Sequence, residues 1–375
     1  MRFRVGGPRL EARAERSRAM VYLTPLVAAG LTVMAGAVLF AALGHDPLRA
    51  LYVFFVAPLT TTFGLSELFV KATPLVLCAT GLAVGFRGNV WNIGAEGQLI
   101  LGAIFAGGLA LWAGEAFTDG GGPWLLPGMM VMGILGGMAW AAIPALLRTR
   151  FNANEILVSL MLTYVAGFLL GYLVHGPWRD PMGFNFPESA LFGDAALLPA
   201  LVSGTRLHIG ALFALAAVAG AWVLLMRSFI GFQIKVVGLA PRAGGYAGFS
   251  GARVVWLGLL CGGGLSGLAG MVEVAGPIGQ LHTQISPGYG FTAIIVAFLG
   301  RLHPLGILLA GLFMALTYLG GDTLQIELGL PRAVTGLFQG MVLFFLLASD
   351  VLIHHRVRWS RPPVTASVAP RGETA

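Results

Sequence analysis

The sequence predicts an all-α polytopic membrane protein with about ten transmembrane helices and both termini in the cytoplasm. Of the 375 residues, 57% are hydrophobic and only 10% are charged, whereas a soluble domain carries roughly 25% charged residues. Apolar runs of about 20 residues, the length that crosses a bilayer as a helix, recur along the chain. Cationic residues collect in the loops between alternate runs, as the positive-inside rule expects.

The composition also excludes several functional classes. A transmembrane barrel would alternate apolar and polar residues in segments of about ten, and no such alternation occurs. The net charge of +7 forms no basic patch of the kind that binds nucleic acid. Cys78 and Cys261 lie in apolar runs, which argues against a disulfide framework or a cysteine metal site. Neither of the two lysines, Lys71 and Lys235, follows a glycine, so no phosphate-binding loop for ATP is present.

Ten apolar segments predict the helices, in chain order. They lie at about 20–43, 66–86, 92–113, 124–147, 155–175, 207–226, 254–275, 289–300, 304–320 and 332–349. The first is longer than the 7–15 residues of a signal peptide, so we expect a retained helix. The apolar stretch 48–58 is too short to span, and we expect it along the membrane surface. The eighth helix, of about 12 residues, is either a span or a half-helix buried among its neighbours.

The charged residues fix the predicted topology. A cytoplasmic N-terminus puts Arg87, the pair Arg148 and Arg150, the loop 227–253, Arg301 and the C-terminal arginines inside. Acidic segments at 115–119 and 322–327 fall outside, and Lys71 and Arg49 are mild exceptions. Three regions follow from this pattern, which are a basic cytoplasmic segment (1–19), a transmembrane domain (20–350) and a disordered cytoplasmic tail (351–375).

The most unusual stretch joins the second and third helices, at their predicted cytoplasmic junction. It carries Asn89, Asn92, Glu96 and Gln98 between two apolar runs, and such residues are expensive near lipid. If the stretch is helical, Asn89, Asn92 and Glu96 share one face and Gln98 lies off it. This face either borders a translocation path or gate, or merely caps the third helix.

Other polar positions also have two interpretations. Asn154 and Glu155 form an ordinary helix start, and Glu273 suits either a pore mouth or an interfacial position. The basic loop 227–253 mixes small, apolar and aromatic residues, which favours a short helix that docks on a partner. The Gly-x-Ser-Gly sequence at 264–267 is similar to an intramembrane protease motif, but serine between glycines is also common helix-packing material.

Four segments, in order, resemble the ABC-transporter permeases for nucleosides and simple sugars, within the wider family of branched-chain amino acid permeases. The segments are Asn89 to Gln98, Asn154 to Tyr164, Val237 to Phe249 and Gly288 to Arg301, and together they place the resemblance over about 66–350. The sequence departs from the family pattern at Ala240, at the pair Gly244 and Gly245, and at Thr163.

The resemblance implies a fold like that of the vitamin B12 importer and a multi-pass location in the bacterial plasma (inner) membrane. It implies a permease subunit without catalysis or a cofactor of its own, because ATP and Mg²⁺ would bind a separate ATPase. The implied partners are this cytoplasmic ATPase, a second homologous permease that forms a heterodimer, and an external substrate-binding lipoprotein.

The polar positions suggest a path or gate, and the resemblance implies that the loop around Gly238 to Gly248 is the ATPase-coupling element. The predicted path or gate residues are Asn89, Trp91, Asn92, Glu96, Gln98, Asn154, Glu155, Tyr164 and Glu273. The predicted ATPase-coupling residues are Gly238, Pro241, Arg242, Tyr246 and Gly248. The alternative is a secondary transporter or channel for a small polar solute that works without an ATPase. Such a protein would use intramembrane carboxylates, for which Glu96 and Glu273 are the sequence candidates.

Overall fold

The computed structural model describes residues 8–12, 18–117 and 121–359. Most of these residues are helical. The helices are α1 (Arg18–Ala42), α2 (Pro47–Phe55), α3 (Thr62–Arg87), α4 (Ala95–Ala116), α5 (Leu125–Phe151), α6 (Glu155–His175), α7 (Gly210–Trp222), α8 (Phe229–Leu239), α9 (Pro241–Tyr246), α10 (Gly251–Glu273), α11 (Tyr289–Leu299), α12 (Pro304–Leu328) and α13 (Ala333–His354). Two short strands, β1 (Pro8–Ala12) and β2 (His355–Trp359), complete the elements. Wider π-helical turns extend α7 to Arg227 and α10 to Ile278.

Within the described residues, nine helices are long and apolar enough to cross a membrane. The sequence predicts about ten spans. The difference lies at the eighth predicted span, which forms the short helix α11. Its 11 residues cover about 16 Å, roughly half of a bilayer's hydrocarbon core. The helix starts after Gly288, which has a positive φ of 99°, and Gly300 ends it before Pro304 begins the next helix. It is a half-helix.

Glycines allow α10 to pack directly on its neighbours α3, α4 and α5. A Cβ atom on Gly267 would clash with the carbonyl of Gly133, and one on Gly270 would clash with the carbonyl of Leu99. Such close backbone contact is typical of small residues at helix interfaces in membranes. Ser266 is fully buried beside this crossing. The glycines around Ser266 therefore serve helix packing, which is the second of the two interpretations of the Gly-x-Ser-Gly sequence.

The described parts of the chain form two compact units, one within Ala35–Gly340 and one from the two chain ends. In the second unit, β1 pairs with β2 in antiparallel register, with Pro8 opposite Trp359. The expected disordered tail is thus wrong for 351–359, because α13 continues to His354 and β2 follows it. Residues 360–375 and most of the N-terminal basic segment lie outside the described residues.

The segment predicted to lie along the membrane surface forms α2, a short helix with one buried face. Asp46 caps it by accepting a hydrogen bond from the Leu48 N–H at 3.0 Å. Phe54 is fully buried, and its ring stacks on Phe338 with centroids 4.5 Å apart. Gly320 of α12 lies directly against the Phe54 carbonyl, where a Cβ atom would clash. This packing fixes α2 against α12.

The polar connection 176–209 packs on the segment that follows α10. Backbone hydrogen bonds join Ser189 N–H to the Leu281 carbonyl, Phe192 N–H to the Gly279 carbonyl and Leu198 N–H to the Ala275 carbonyl, each at 2.8 Å. The connection thus covers the Gly/Pro-rich stretch between α10 and α11.

His208, at the end of this connection, makes the fold sensitive to acid. The ring is buried, and its Nδ1 accepts a hydrogen bond from the Gly210 N–H at 3.2 Å. Burial lowers the pKa of His208 to about 4, from an ordinary value of 6.5. Between these values the unfolded chain binds a proton that the folded chain does not, so stability falls as the pH drops through this window.

We expect the free energy of unfolding to fall by about 2 kcal/mol between pH 7 and pH 5 through this residue. The measurement is the melting temperature of the detergent-purified protein at both pH values, for the wild type and His208→Asn. The variant should be the less stable protein at pH 7 and should lose less stability on acidification. An equal loss in both proteins would contradict this assignment.

Candidate functional site

The polar motif begins where α3 ends in a turn, and the residues up to Gly94 are not helical. Asn89 has a positive φ of 56°, and its side-chain oxygen accepts a hydrogen bond from Trp91 Nε1 at 3.0 Å. The Val90 N–H donates to the Gly85 carbonyl at 3.0 Å, which closes the end of the helix. The next helix begins at Ala95. The prediction that it begins at residue 92 is therefore wrong by one turn.

This non-helical segment runs along α10 into the bundle. Gly88 faces the side chain of Val254, and Asn92 Nδ2 lies against Gly262. Eight helical residues separate these two contacts, a rise of about 12 Å. Gly262 is about 17 Å from the first residue of α10, and the helix with its extension ends at Ile278. The motif thus reaches the middle of a spanning helix, deeper than the predicted junction at the membrane surface.

Asn92 and Gln98 form a buried amide pair. Asn92 Nδ2 donates to Gln98 Oε1 at 2.9 Å, and Gln98 Nε2 donates to Asn92 Oδ1 at 3.1 Å. The same Asn92 oxygen accepts the Gly94 N–H at 2.9 Å, and both residues are 1% exposed. The predicted helical face of Asn89, Asn92 and Glu96 is therefore wrong. Because 88–94 is not helical, Gln98 rather than Glu96 is the partner of Asn92.

Glu96 holds the start of the half-helix α11. Its Oε2 accepts the Gly290 N–H at 2.6 Å, and the side chain is only 7% exposed. The Ser286 hydroxyl and the Gly288 N–H also interact with this carboxylate. A Cβ on Gly290 would clash with the Glu96 backbone. The carboxylate therefore satisfies free N–H groups at the positive end of another helix, which is where an anion is most stable.

An aromatic cluster joins the motif to the other half of α11. Trp91, Phe86 and Phe298 lie with ring centroids between 5.2 and 5.7 Å apart. Arg87 Nε donates to the Leu302 carbonyl at 3.0 Å, just beyond the end of α11. The motif thus contacts this half-helix at both ends, through Glu96 at its start and through Trp91 and Arg87 at its finish.

The predicted residues on α6 form a separate group. Asn154 caps this helix by accepting the Ile156 N–H at 2.9 Å, as expected for an ordinary helix start. Glu155 is buried and lies 3.4 Å from Arg148 Nε. Tyr164 is exposed on the outer side of α6. These three residues do not join the Glu96 contacts, and their role in a path stays a prediction.

The structure contains two ion pairs on α3 that the sequence analysis does not predict. Glu67 receives two hydrogen bonds from Arg206, at 2.9 and 2.5 Å, and Lys71 lies 2.9 Å from Asp322. The two α3 residues are four apart and therefore one helical turn from each other. Glu273 is buried at the end of α10 and lies in the electrostatic field of Lys71 and Arg206.

The predicted coupling segment contains an exposed short helix. In α9, the exposed residues are Pro241, Arg242, Ala243, Gly245 and Tyr246, and we call them the docking surface. Tyr246 is 95% exposed. Gly248 has a positive φ of 78° and ends the turn. Gly238 is not part of this exposed surface, since a Cβ atom there would clash with the Arg87 carbonyl. Its contact is internal, and it packs α8 against the end of α3.

Comparison with protein families gives one match over most of the chain. The family described as branched-chain amino acid transport system / permease component matches residues 64–347. The chain belongs to this permease family. The match includes the polar motif, α11 and the docking surface.

Relatives of this permease occur in archaea and bacteria. A glucose ABC transporter permease of Haloferax volcanii is 38% identical over 90% of each chain. A guanosine ABC transporter permease of Bacillus subtilis is 29% identical over 87% of this chain and 93% of its own. A nucleoside ABC transporter permease of Lactococcus lactis is 27% identical over 88% of this chain and 92% of its own. The permease is therefore a multi-pass subunit of an ABC transporter, which disfavours the alternative of a secondary transporter.

A solved structure, PsaBC from Streptococcus pneumoniae in complex with Fab, matches 77% of this permease and 91% of its own chain. The two share 12% identity, and the TM-score is 0.45. This similarity is too low to establish a common architecture, so the likeness to the vitamin B12 importer stays a prediction.

Proposed function

We propose that this permease imports a nucleoside-like or simple-sugar solute across the plasma membrane, driven by ATP hydrolysis in a separate subunit. The observation that supports this proposal is the similarity, over nearly the full length of the chain, to permeases named for glucose, guanosine and nucleosides. A further relative is named as a probable riboflavin import permease. Glucose, ribonucleosides and riboflavin all carry several adjacent hydroxyl groups on a ring or chain. A polyhydroxylated unit is therefore the chemical feature that we expect in the solute.

The contacts suggest how ATP-driven movement reaches the interior. The ATPase would bind the docking surface of α9, and α9 follows α8 after a single residue, Ala240. Gly238 of α8 lies against the Arg87 carbonyl, and Arg87 in turn donates to the Leu302 carbonyl. Movement of the docking surface would thus be transmitted to the end of α3 and to the half-helix α11. Alternating access would follow from the shift of α11 against Glu96.

The pairing of the chain ends supports the proposed topology. Because β1 and β2 pair, the segments before α1 and after α13 lie on one side of the membrane. Nine full spans would place them on opposite sides. One additional crossing is therefore needed, and we propose that the half-helix α11 supplies it together with the non-helical residues before it. We assign the docking surface to the cytoplasm, because the loop 227–253 that carries it is basic.

The test is transport by the purified complex in proteoliposomes. The permease, its paired permease and ATPase subunits, and the external substrate-binding lipoprotein are co-expressed from neighbouring genes. We expect uptake of guanosine or glucose that requires ATP inside the vesicles and binding protein outside. Uptake that persists without ATP and follows an ion gradient would instead favour a secondary transporter. A mutation in the ATPase phosphate-binding loop is the control and should abolish uptake.

A further inference from the structure

A cavity with several polar lining residues lies between α3, α12 and the start of α13. Its volume is about 280 Å³, which is large enough for a sugar ring. Its hydrogen-bonding and charged lining residues are Lys71, Tyr318, Asp322, Arg332, Thr335 and Gln339. Lys71 lies about 24 Å along α3 from Arg87. The cavity is therefore far from the docking surface and on the side that the external binding protein would face.

One lining group lacks the partner that burial demands. The Gln339 side chain is 9% exposed, and its Nε2 has no hydrogen-bond partner. Its Oε1 accepts from Thr292 at 3.3 Å, and the Thr292 hydroxyl also lies 2.8 Å from the Tyr318 hydroxyl. Buried amide donors are nearly always satisfied by protein, water or ligand. The Nε2 atom has almost no accessible surface, so its two N–H donors reach a molecule in the cavity only when the Gln339 side chain turns toward it.

The charged groups of the cavity largely compensate one another. Asp322 lies 2.9 Å from Lys71 and 3.8 Å from Arg332. Because Asp322 stays partly exposed, its carboxylate keeps lone pairs that can accept hydroxyl protons. Lys71 brings additional N–H donors beside it. Donors and acceptors side by side suit adjacent hydroxyl groups, each of which both donates and accepts.

We propose that this cavity binds the polyhydroxylated unit of the transported solute, with Asp322 and Lys71 on adjacent hydroxyls and Gln339 Nε2 on an acceptor oxygen. This inference rests on the proposed function and names the site within the permease at which the solute is recognised. A binding role for Lys71, Asp322 and Gln339 also accounts for polar residues that are otherwise expensive in a membrane-spanning segment.

The cavity is connected to the moving element of the proposed mechanism. Pro287, just before α11, forms part of its wall. Tyr289 of α11 contacts Tyr318 with ring centroids 5.3 Å apart, and Thr292 of α11 holds Gln339. A solute in the cavity therefore touches residues on the half-helix whose start is held by Glu96. Movement of α11 would alter the cavity wall and release the solute.

A pair of glycines on α13 provides a matched test. Gly336 lines the cavity and Gly340 lies one turn further along, and a Cβ on either glycine meets no atom within 4 Å. We therefore expect Gly336→Leu and Gly340→Leu to fold equally well, while only the first fills the cavity. With the same ATPase and binding protein, Gly336→Leu should lower guanosine or glucose uptake at least tenfold. Gly340→Leu should transport like the wild type.

A second measurement observes binding itself. The permease–ATPase complex in nanodiscs, without the binding protein, is mixed with guanosine or glucose and studied by saturation-transfer NMR. We expect saturation of the sugar-ring protons with the wild type and Gly340→Leu, its loss with Gly336→Leu, and about tenfold weaker binding with Gln339→Leu.

The possible failures are distinguishable. Equal uptake and equal NMR signals for both leucine variants would overturn the cavity assignment while the proposed function stands. If the wild-type complex gives no saturation-transfer signal, the cavity assignment is also overturned. If the wild-type complex imports neither guanosine nor glucose, the proposed solute class fails and the cavity assignment fails with it.

Discussion

Replacing Glu96 with leucine is expected to lower uptake at least tenfold and to destabilise the protein. The change removes the acceptor of the Gly290 N–H at the start of α11, where the two atoms are 2.6 Å apart. A buried N–H without an acceptor costs about 1–3 kcal/mol, and more where a charged partner is lost. Glu96→Gln keeps one acceptor oxygen, so its loss of stability and uptake should be smaller. The measurements are melting temperature and ATP-dependent uptake.

Glu115 supplies the control, because it lies on the same helix and is exposed at its far end. Glu115→Leu should change neither measurement. If Glu96→Leu melts like the wild type, the carboxylate does not stabilise α11. If Glu96→Gln instead keeps full stability but loses uptake as severely as the leucine variant, the charge itself acts in the translocation path.

Removing side chains from the docking surface should separate insertion from coupling. We expect the double variant Arg242→Ala and Tyr246→Ala to insert and melt normally, because both side chains are exposed. Its co-purification with the ATPase should fall at least tenfold, since interface tyrosines and arginines commonly contribute about 2 kcal/mol or more each. ATP-dependent uptake should fall with it.

Phe184→Ala is the matched control, because Phe184 is 93% exposed on the connection 176–209 and lies away from the docking surface. It should leave ATPase association unchanged. Normal uptake by the α9 double variant would refute the coupling role. Gly238 is a poor probe of docking, since any side chain there disturbs the packing on Arg87.

The sequence was sufficient for the long helices because hydrophobic length is a strong local signal. The predicted range 155–175 coincides with α6. The main differences between the predicted and the observed structure concern charged residues. The acidic pattern predicts an outer loop at Asp322 and Glu327, but both residues belong to α12, which continues to Leu328. The partner of Asp322 is Lys71 of α3, and a local sequence pattern does not identify which distant residue forms such a pair.

The sequence identifies the polar residues of the candidate site, but it does not predict the contacts that they make in the structure. Helical periodicity predicts that Asn92 lies beside Glu96, whereas the segment is not helical and Asn92 pairs with Gln98. The contact between Glu96 and Gly290 joins residues 194 positions apart, and no local rule predicts it. Charges four residues apart within an apolar run, as at Glu67 and Lys71, were the signal that could have exposed the ion pairs.

The glycine crossing of α10 also has a genetic consequence. Every nonsynonymous single-base change in a glycine codon encodes a larger residue or a stop. At Gly102, Gly267 and Gly270, even alanine would clash with backbone atoms of a neighbouring helix. Random mutagenesis should therefore find almost no tolerated missense change at these codons, whereas Gly336 and Gly340 should accept alanine freely.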